Sequence, residues 1–284
     1  GIADRFKNGI TRRGFVLGGA TAGAATLLAG CSSKTGTSDD AAGEPQVVKD
    51  DSKIVSIIDE YEAVDIDLEP TASWTLPLGT LLYYCDGDLS AAMMAPASAQ
   101  HANTLGVLSL SDGSLTTLVE DPVEGTGYAF YDVRATDSVF AWIEMDYANS
   151  AWKLYAQGLS GVSLTGNAVE LDRGGKDYDP PLFTAYGSSV IWYKMPASGG
   201  SKTSSDSFCY RQSVDESKPE VIWKSTGRFA SAPRASDGIL TISPRVHNDE
   251  GVYYGMTAID LTDDNNKRAQ LVLPSSVSPF EAVY

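Results

Sequence analysis

From about Leu76 onward the apolar residues come in short runs of four to seven, rich in Val, Ile, Leu, Tyr, Phe and Trp, with Gly, Asp, Ser, Asn and Pro between them. Runs of that length and composition predict short strands joined by turns. No long stretch carries a helical period. The runs also recur in order. A first strand reads GTLLYY (Gly79–Tyr84), SVFAWIE (Ser138–Glu144), SVIWYK (Ser189–Lys194) and GILTIS (Gly238–Ser243). The next reads LGVLSL (Leu105–Leu110), WKLYAQGL (Trp152–Leu159), FCYRQSV (Phe208–Val214) and YGMTAIDL (Tyr254–Leu261). The last reads SLTTLV (Ser114–Val119), NAVEL (Asn167–Leu171), PEVIW (Pro219–Trp223) and AQLVL (Ala269–Leu273). A further short run precedes every first strand but the first: YAFYDV (Tyr128–Val133), PLFTAY (Pro181–Tyr186) and APRAS (Ala232–Ser236).

The ends of the middle strands, Leu110, Leu159, Val214 and Leu261, lie 49, 55 and 47 residues apart. Four strands in a repeating unit of about 50 residues predict an all-β, β-propeller-type domain of four-stranded blades. A β-sandwich is the rival, and the period favours the propeller. Ser111–Gly113 and Asp263–Asn266 fit turns between third and fourth strands. Only four units are visible, and Ser278–Tyr284 stands where a fifth would begin. The expectation is therefore an incomplete ring, and, with Gly1 not a methionine, a fragment cut at both ends. Through Val-x-Trp, Tyr-x-x-x-Leu and Val-x-Leu, residues 79–284 resemble the TolB-like propellers. That resemblance implies six blades and brings no catalytic residue with it.

Upstream the texture changes. Thr11–Cys31 (TRRGFVLGGATAGAATLLAGC) joins an arginine pair to a weakly apolar Gly/Ala/Leu run and small residues before a cysteine. A charged start, an apolar middle and a small-residue cut site make an export signal. Arg12, Arg13 and Phe15 resemble the recognition pattern of the twin-arginine (Tat) signal. Leu28, Ala29, Gly30 and Cys31 resemble the lipobox of bacterial lipoproteins, which implies lipidation of Cys31 as the new N-terminus. The rival is an uncleaved transmembrane anchor over Gly14–Gly30, 17 residues long and at the lower limit for a span; it ranks second because Cys31 falls where a lipobox cysteine should. These resemblances imply a signal peptide over 1–30, passage through the Tat machinery, and a membrane anchor through Cys31 on the outer face of a bacterial cytoplasmic membrane or envelope. Residues 31–53 are poor in large apolar side chains and read as a flexible tether. In residues 54–75, Ile54, Ile57, Ile58 and Tyr61 are spaced as on a short amphipathic helix over Lys53–Val64, with a strand as the alternative.

Charge narrows the partners. The 284 residues carry a formal net charge of −16. Polyanions are repelled by such a chain, which argues against nucleic acid. Anionic lipid is repelled too, so attachment rests on the lipidated cysteine. Cys85 and Cys209 fall in different units and read as isolated thiols, although an exported protein permits a disulfide.

Catalytic motifs are scarce. His101 and His247 sit in polar loop contexts, and there is no Gly-x-Ser-x-Gly or His-Glu-x-x-His. Asp132, Glu144, Asp146, Asp177 and Asp179 lie near strand ends and leave a carboxylate pair open, as in glycoside hydrolysis. Asp260, Asp263, Asp264 and Asn265 form the densest oxygen cluster, but lack EF-hand spacing and read as a hairpin tip. Tyr178, Phe183, Tyr186, Trp192 and Tyr193 read as filling between blades, or as a sugar- or peptide-binding face. No catalytic, metal or cofactor residue is assigned. The expected function is a non-enzymatic binding or scaffold module for a protein, peptide or carbohydrate. The alternative is an envelope hydrolase: a propeller glycosidase, or the propeller part of a prolyl-oligopeptidase-like peptidase.

Overall fold

The computed structural model describes residues 45–49, 52, 54–248, 251–280 and 284. Arg12, Arg13, Phe15 and Leu28–Cys31 lie outside them, as does most of the tether.

The chain is all-β and builds four blade-like sheets, each around four antiparallel strands that are close in sequence, and the fourth sheet carries two further strands. Sheet I is β2 (Leu81–Leu82), β3 (Leu89–Met94), β4 (Thr104–Ser109) and β5 (Leu115–Val119). Sheet II is β6 (Ala129–Ala135), β7 (Val139–Asp146), β8 (Ala151–Ser160) and β9 (Ser163–Gly174). Sheet III is β10 (Phe183–Tyr186), β11 (Ser189–Lys194), β12 (Ser207–Ser213) and β13 (Glu220–Ser225). Sheet IV is β14 (Arg234–Ser236), β15 (Ile239–Ile242), β17 (Gly251–Asp260) and β18 (Asn266–Val272), with β16 (Arg245–Asn248) paired to the start of β17. In every sheet the third and fourth strands pair through a register shift, at Leu105/Gly106, Leu154/Tyr155, Cys209/Tyr210 and Ala258/Ile259. Sheet II carries a second shift at Ala156/Gly158, and bulges in this strand pair increase the local twist of each unit.

These are blade-like repeats, and their packing follows from their side chains. A two-faced sheet of β-branched and aromatic residues must bury both faces, and neighbouring sheets supply the cover. Leu105, Val107, Phe130, Phe140 and Trp142 fill the space between sheets I and II. Ile143, Trp152, Leu154, Phe183 and Trp192 fill that between II and III. Tyr193, Cys209, Phe229, Leu240 and Ile259 fill that between III and IV. Trp142 faces Tyr155 across its strand pair, and Trp192 faces Tyr210, with ring centroids 5.8 and 5.5 Å apart. Such cross-strand aromatic pairs hold register as well as burying area. The ring is not closed: among the described residues no shared apolar cluster joins sheets IV and I, and no strand pairing links Leu76–Tyr84 to the segment after β18.

Several expectations need correction. GTLLYY is the inner strand of the first unit, equivalent to YAFYDV, and not to SVFAWIE. The true second strand, β3, reads LSAAMM; its small residues escaped the apolar-run pattern because close packing, not β-propensity, makes it a strand. Of the described residues within Lys53–Val64 only the single turn α1 (Ile57–Glu60) is helical, closed by Asp59 and Glu60 N–H donating to the Ser56 carbonyl. Ile54, Val55 and Tyr61 stay exposed, so no packed face extends that turn. Within the expected tether, β1 (Gln46–Val47) pairs parallel with Leu271–Val272, and Val48 N–H donates to the Val272 carbonyl at 2.9 Å. That part is the sixth strand of sheet IV, parallel to its edge strand β18.

Candidate functional site

The turns between the first and second strands of all four sheets converge on one cavity of about 510 Å³. Each turn is polar and tight, because the two strands it joins are separated by only a few residues. Sheet I contributes Tyr84–Gly87, sheet II Arg134–Ser138, sheet III Thr184–Gly187, and sheet IV Ala235, Asp237 and Gly238, with Thr262 from its outer turn. Asp237 and Gly238 take φ of 51 and 79°, and Gly187 of 55°. Aspartate and glycine tolerate that left-handed backbone better than other residues.

The turns touch in a circuit. Asp88 N–H donates to Asp137 Oδ1 at 3.2 Å, joining sheets I and II. Thr136 Oγ1 donates to the Gly187 carbonyl at 2.5 Å, joining II and III. The Tyr186 hydroxyl packs against Gly238, where an added Cβ would stand 3.4 Å from it, joining III and IV. Asp237 N–H donates to Asp86 Oδ2 at 2.8 Å, joining IV and I. The Arg234 guanidinium lies over the Tyr84 ring, 4.9 Å from its centroid, beside that last link. The sheets thus meet around an axis at this end, although their apolar packing stops at sheets I and IV.

Acid outnumbers base on the lining. Asp86, Asp137 and Asp237 share the lining with one cationic side chain, Arg134. Arg134 is spoken for, since it pairs with Asp132 at 2.5 Å and lies over the rings of Tyr83 and Phe183. Asp86 also accepts from the Tyr84 hydroxyl at 2.7 Å. The Cys85 thiol donates weakly to the Gly87 carbonyl at 3.4 Å. Burial first, then the negative charge of Asp137, Asp86 and Asp88, pushes this thiol above its ordinary pKa. It is therefore a poor nucleophile at neutral pH. The lining suits a polar ligand rich in hydrogen-bond donors, and tolerates positive charge.

The acids singled out from the sequence lie elsewhere, each with its own partner. Glu144 is fully buried and accepts from Val123 N–H (2.7 Å), Glu124 N–H (3.0 Å) and Trp142 Nε1–H (2.9 Å). Asp146 caps its own turn by accepting from Ala148 and Asn149. Asp177 meets Ser201 and Lys202, and Asp179 pairs with Arg228 at 2.8 Å. Asp260 accepts from Thr262 and pairs with Arg268, while Asn265 Oδ1 accepts from Arg211 at 2.7 Å, so this cluster is a hairpin tip. No group of three or more His, Cys, Asp or Glu suited to a metal occurs among the described residues. Cys85 and Cys209 are both free. His101 is exposed beyond β3, and His247 falls within β16. Of the aromatics, Phe183, Trp192 and Tyr193 are buried between sheets, and only Tyr186 reaches the cavity.

Sequence reasoning missed the cavity residues, though a signal was present. Positions 87, 137, 187 and 237 are Gly, Asp, Gly and Asp, spaced 50 residues apart at equivalent turns.

The fold and this axial cavity define a blade-repeat protein with a polar central site. No family model matches the sequence, and no curated protein matches it. Among solved structures, a prolyl endopeptidase superposes with a TM-score of 0.43 at 11% identity, over 66% of this chain and 28% of that one. TolB from Acinetobacter baumannii gives 0.35 at 13%, over 67% and 46%. The catalytic domain of a GH62 α-L-arabinofuranosidase from Coprinopsis cinerea gives 0.30 at 9%, over 67% and 66%. The chain spans about a quarter of the length of the prolyl endopeptidase. These are β-propeller proteins, but likeness at this level transfers neither site nor activity.

Proposed function

We propose that this chain is a bacterial cell-envelope lipoprotein whose propeller-type domain recognises a polar, donor-rich ligand in the axial cavity without transforming it. The convergence of four turns on that cavity carries the reading. The cavity offers acceptors and aromatic edges. Among the described residues its lining holds one thiol, kept protonated, and no histidine. Export and anchoring are supported by the sequence alone, through Arg12-Arg13-Gly14-Phe15 and Leu28–Cys31.

The test compares the protein with Ser138→Trp, which fills the cavity from an exposed lining position. Thermal unfolding is recorded against a panel of organic amines, short peptides and oligosaccharides. A ligand should raise the unfolding temperature of the unmodified protein and not that of the variant. Equal stabilisation of both would remove the site from the cavity. Turnover of a panel compound by the unmodified protein alone would favour the hydrolase reading.

A further inference from the structure

Residues 62–69 read Glu-Ala-Val-Asp-Ile-Asp-Leu-Glu. Val64, Ile66 and Leu68 alternate with Asp65, Asp67 and Glu69, the period-2 pattern of a half-buried strand. The structure gives this segment no sheet. Among the described residues it makes no backbone hydrogen bond to any other element, and Val64, Ile66 and Leu68 are 77, 71 and 79% exposed. Three branched apolar side chains in strand register, all facing water, are unlike the polar composition of a plain linker.

The segment is held on both sides. Upstream, β1 is paired to β18. Downstream, the indole of Trp74 packs on the turn at Gly113, where any Cβ would collide with it, and Thr80 closes a turn onto Pro77. An anchored segment loses less freedom on docking than a free tail.

We propose that residues 62–69 are an addition strand that pairs with an exposed sheet edge of another protein whose side chains alternate apolar and basic. Backbone pairing would satisfy the open N–H and C=O groups, and alternate side chains would set specificity. Charge chooses the occupant. A second copy would set Asp65 and Asp67 against carboxylates of the same row, which repel. Anionic lipid would repel them as well. A basic row complements them. Eight residues span about 26 Å as a strand, enough for a full edge.

The test uses the full chain and two labelled probes, short peptides of alternating valine and lysine and of alternating valine and glutamate, with binding followed by fluorescence anisotropy. The lysine peptide should bind the unmodified protein and the glutamate peptide should not. Asp65→Lys with Asp67→Lys should invert that preference. Ile66→Pro, which removes a backbone donor without changing charge, should weaken lysine-peptide binding at least about tenfold. Because residues 62–69 are exposed, both variants keep the fold, which circular dichroism checks. Absent binding, a preference unmoved by the charge inversion, undiminished binding by Ile66→Pro, or self-association of the unmodified chain through this segment would each overturn the proposal.

Discussion

Glu144 is the residue whose replacement says most about how the sheets are held. Its carboxylate is wholly buried and takes three hydrogen bonds: two from backbone N–H groups of Val123 and Glu124, in the connection from sheet I to sheet II, and one from the Trp142 indole. Glu144→Gln keeps the shape, removes the charge and turns one acceptor into a donor. One buried N–H then faces another N–H, and the remaining bonds lose their charge assistance. A charge-assisted bond contributes about 1.5–3 kcal/mol, and an unmatched buried donor costs about 1–3 kcal/mol. The expected loss is about 3 kcal/mol. With an m-value of about 3 kcal/mol/M, the urea midpoint should fall by about 1 M, read by tryptophan fluorescence. Trp142→Phe removes a single donor, and its effect should not add to that of Glu144→Gln, because the two share the same carboxylate. A Glu144→Gln midpoint equal to that of the unmodified protein would refute the structural role. Unchanged stability with a lost hydrolytic activity would return Glu144 to the catalytic candidates.

Four shorter predictions follow from the same structure and sequence. Cys31→Ala should abolish palmitate incorporation, and labelling that persists in the variant would place the lipid elsewhere. Arg12→Lys with Arg13→Lys should block export despite the retained charge, whereas normal surface levels would point to the general secretory route. Asp260 is held below the usual carboxylate pKa, chiefly by the Thr262 hydroxyl and with help from Arg268. A lowered folded-state pKa gives stability that is present above the unfolded value and is lost as pH falls through the folded one. The stability gap between the unmodified protein and Asp260→Asn should therefore be constant from pH 5 to 7 and shrink below about pH 4; a gap that widens on acidification would contradict it. Cys209 is buried and its thiol is pushed far up by desolvation, so it should resist alkylation in the folded protein and react only on unfolding; rapid native labelling of Cys209 would show that the core between sheets III and IV opens.

Much of this architecture is legible in the residues, for a physical reason. The strands β7, β11 and β15 and the third strands are rich in β-branched and aromatic side chains that must pack between sheets, so they stand out as apolar runs and repeat at the unit's period. β3 does not stand out, because Leu-Ser-Ala-Ala-Met-Met fits a tight space instead of filling a wide one. With β3 unmarked, GTLLYY aligns one strand too far along in the first unit. Of the helix expected over Lys53–Val64 a single turn forms, because spacing alone does not bury a face: Ile54, Val55 and Tyr61 stay exposed. The candidate site was the least readable part. Asp86, Asp137 and Asp237 are three among many acids, and only the meeting of four turns gives them a common address. Glu144 stands out in the sequence only as a carboxylate near a strand end, while its complete burial and its three donors follow from a loop contact that no local pattern encodes.

Turns from four sheets line one half-open cavity. Cys85 reports on it directly, since it lines the cavity from sheet I while Ser138 and Thr184 line it from sheets II and III. With Cys31→Ala as background and Cys209 buried, iodoacetamide should alkylate Cys85 alone, more slowly than free cysteine because its thiol is held protonated. Adding Ser138→Trp or Thr184→Trp should slow it at least about tenfold further, since each fills space the reagent must cross. Rates unchanged by tryptophan at either position would mean that the turns do not share a cavity, and would contradict the account.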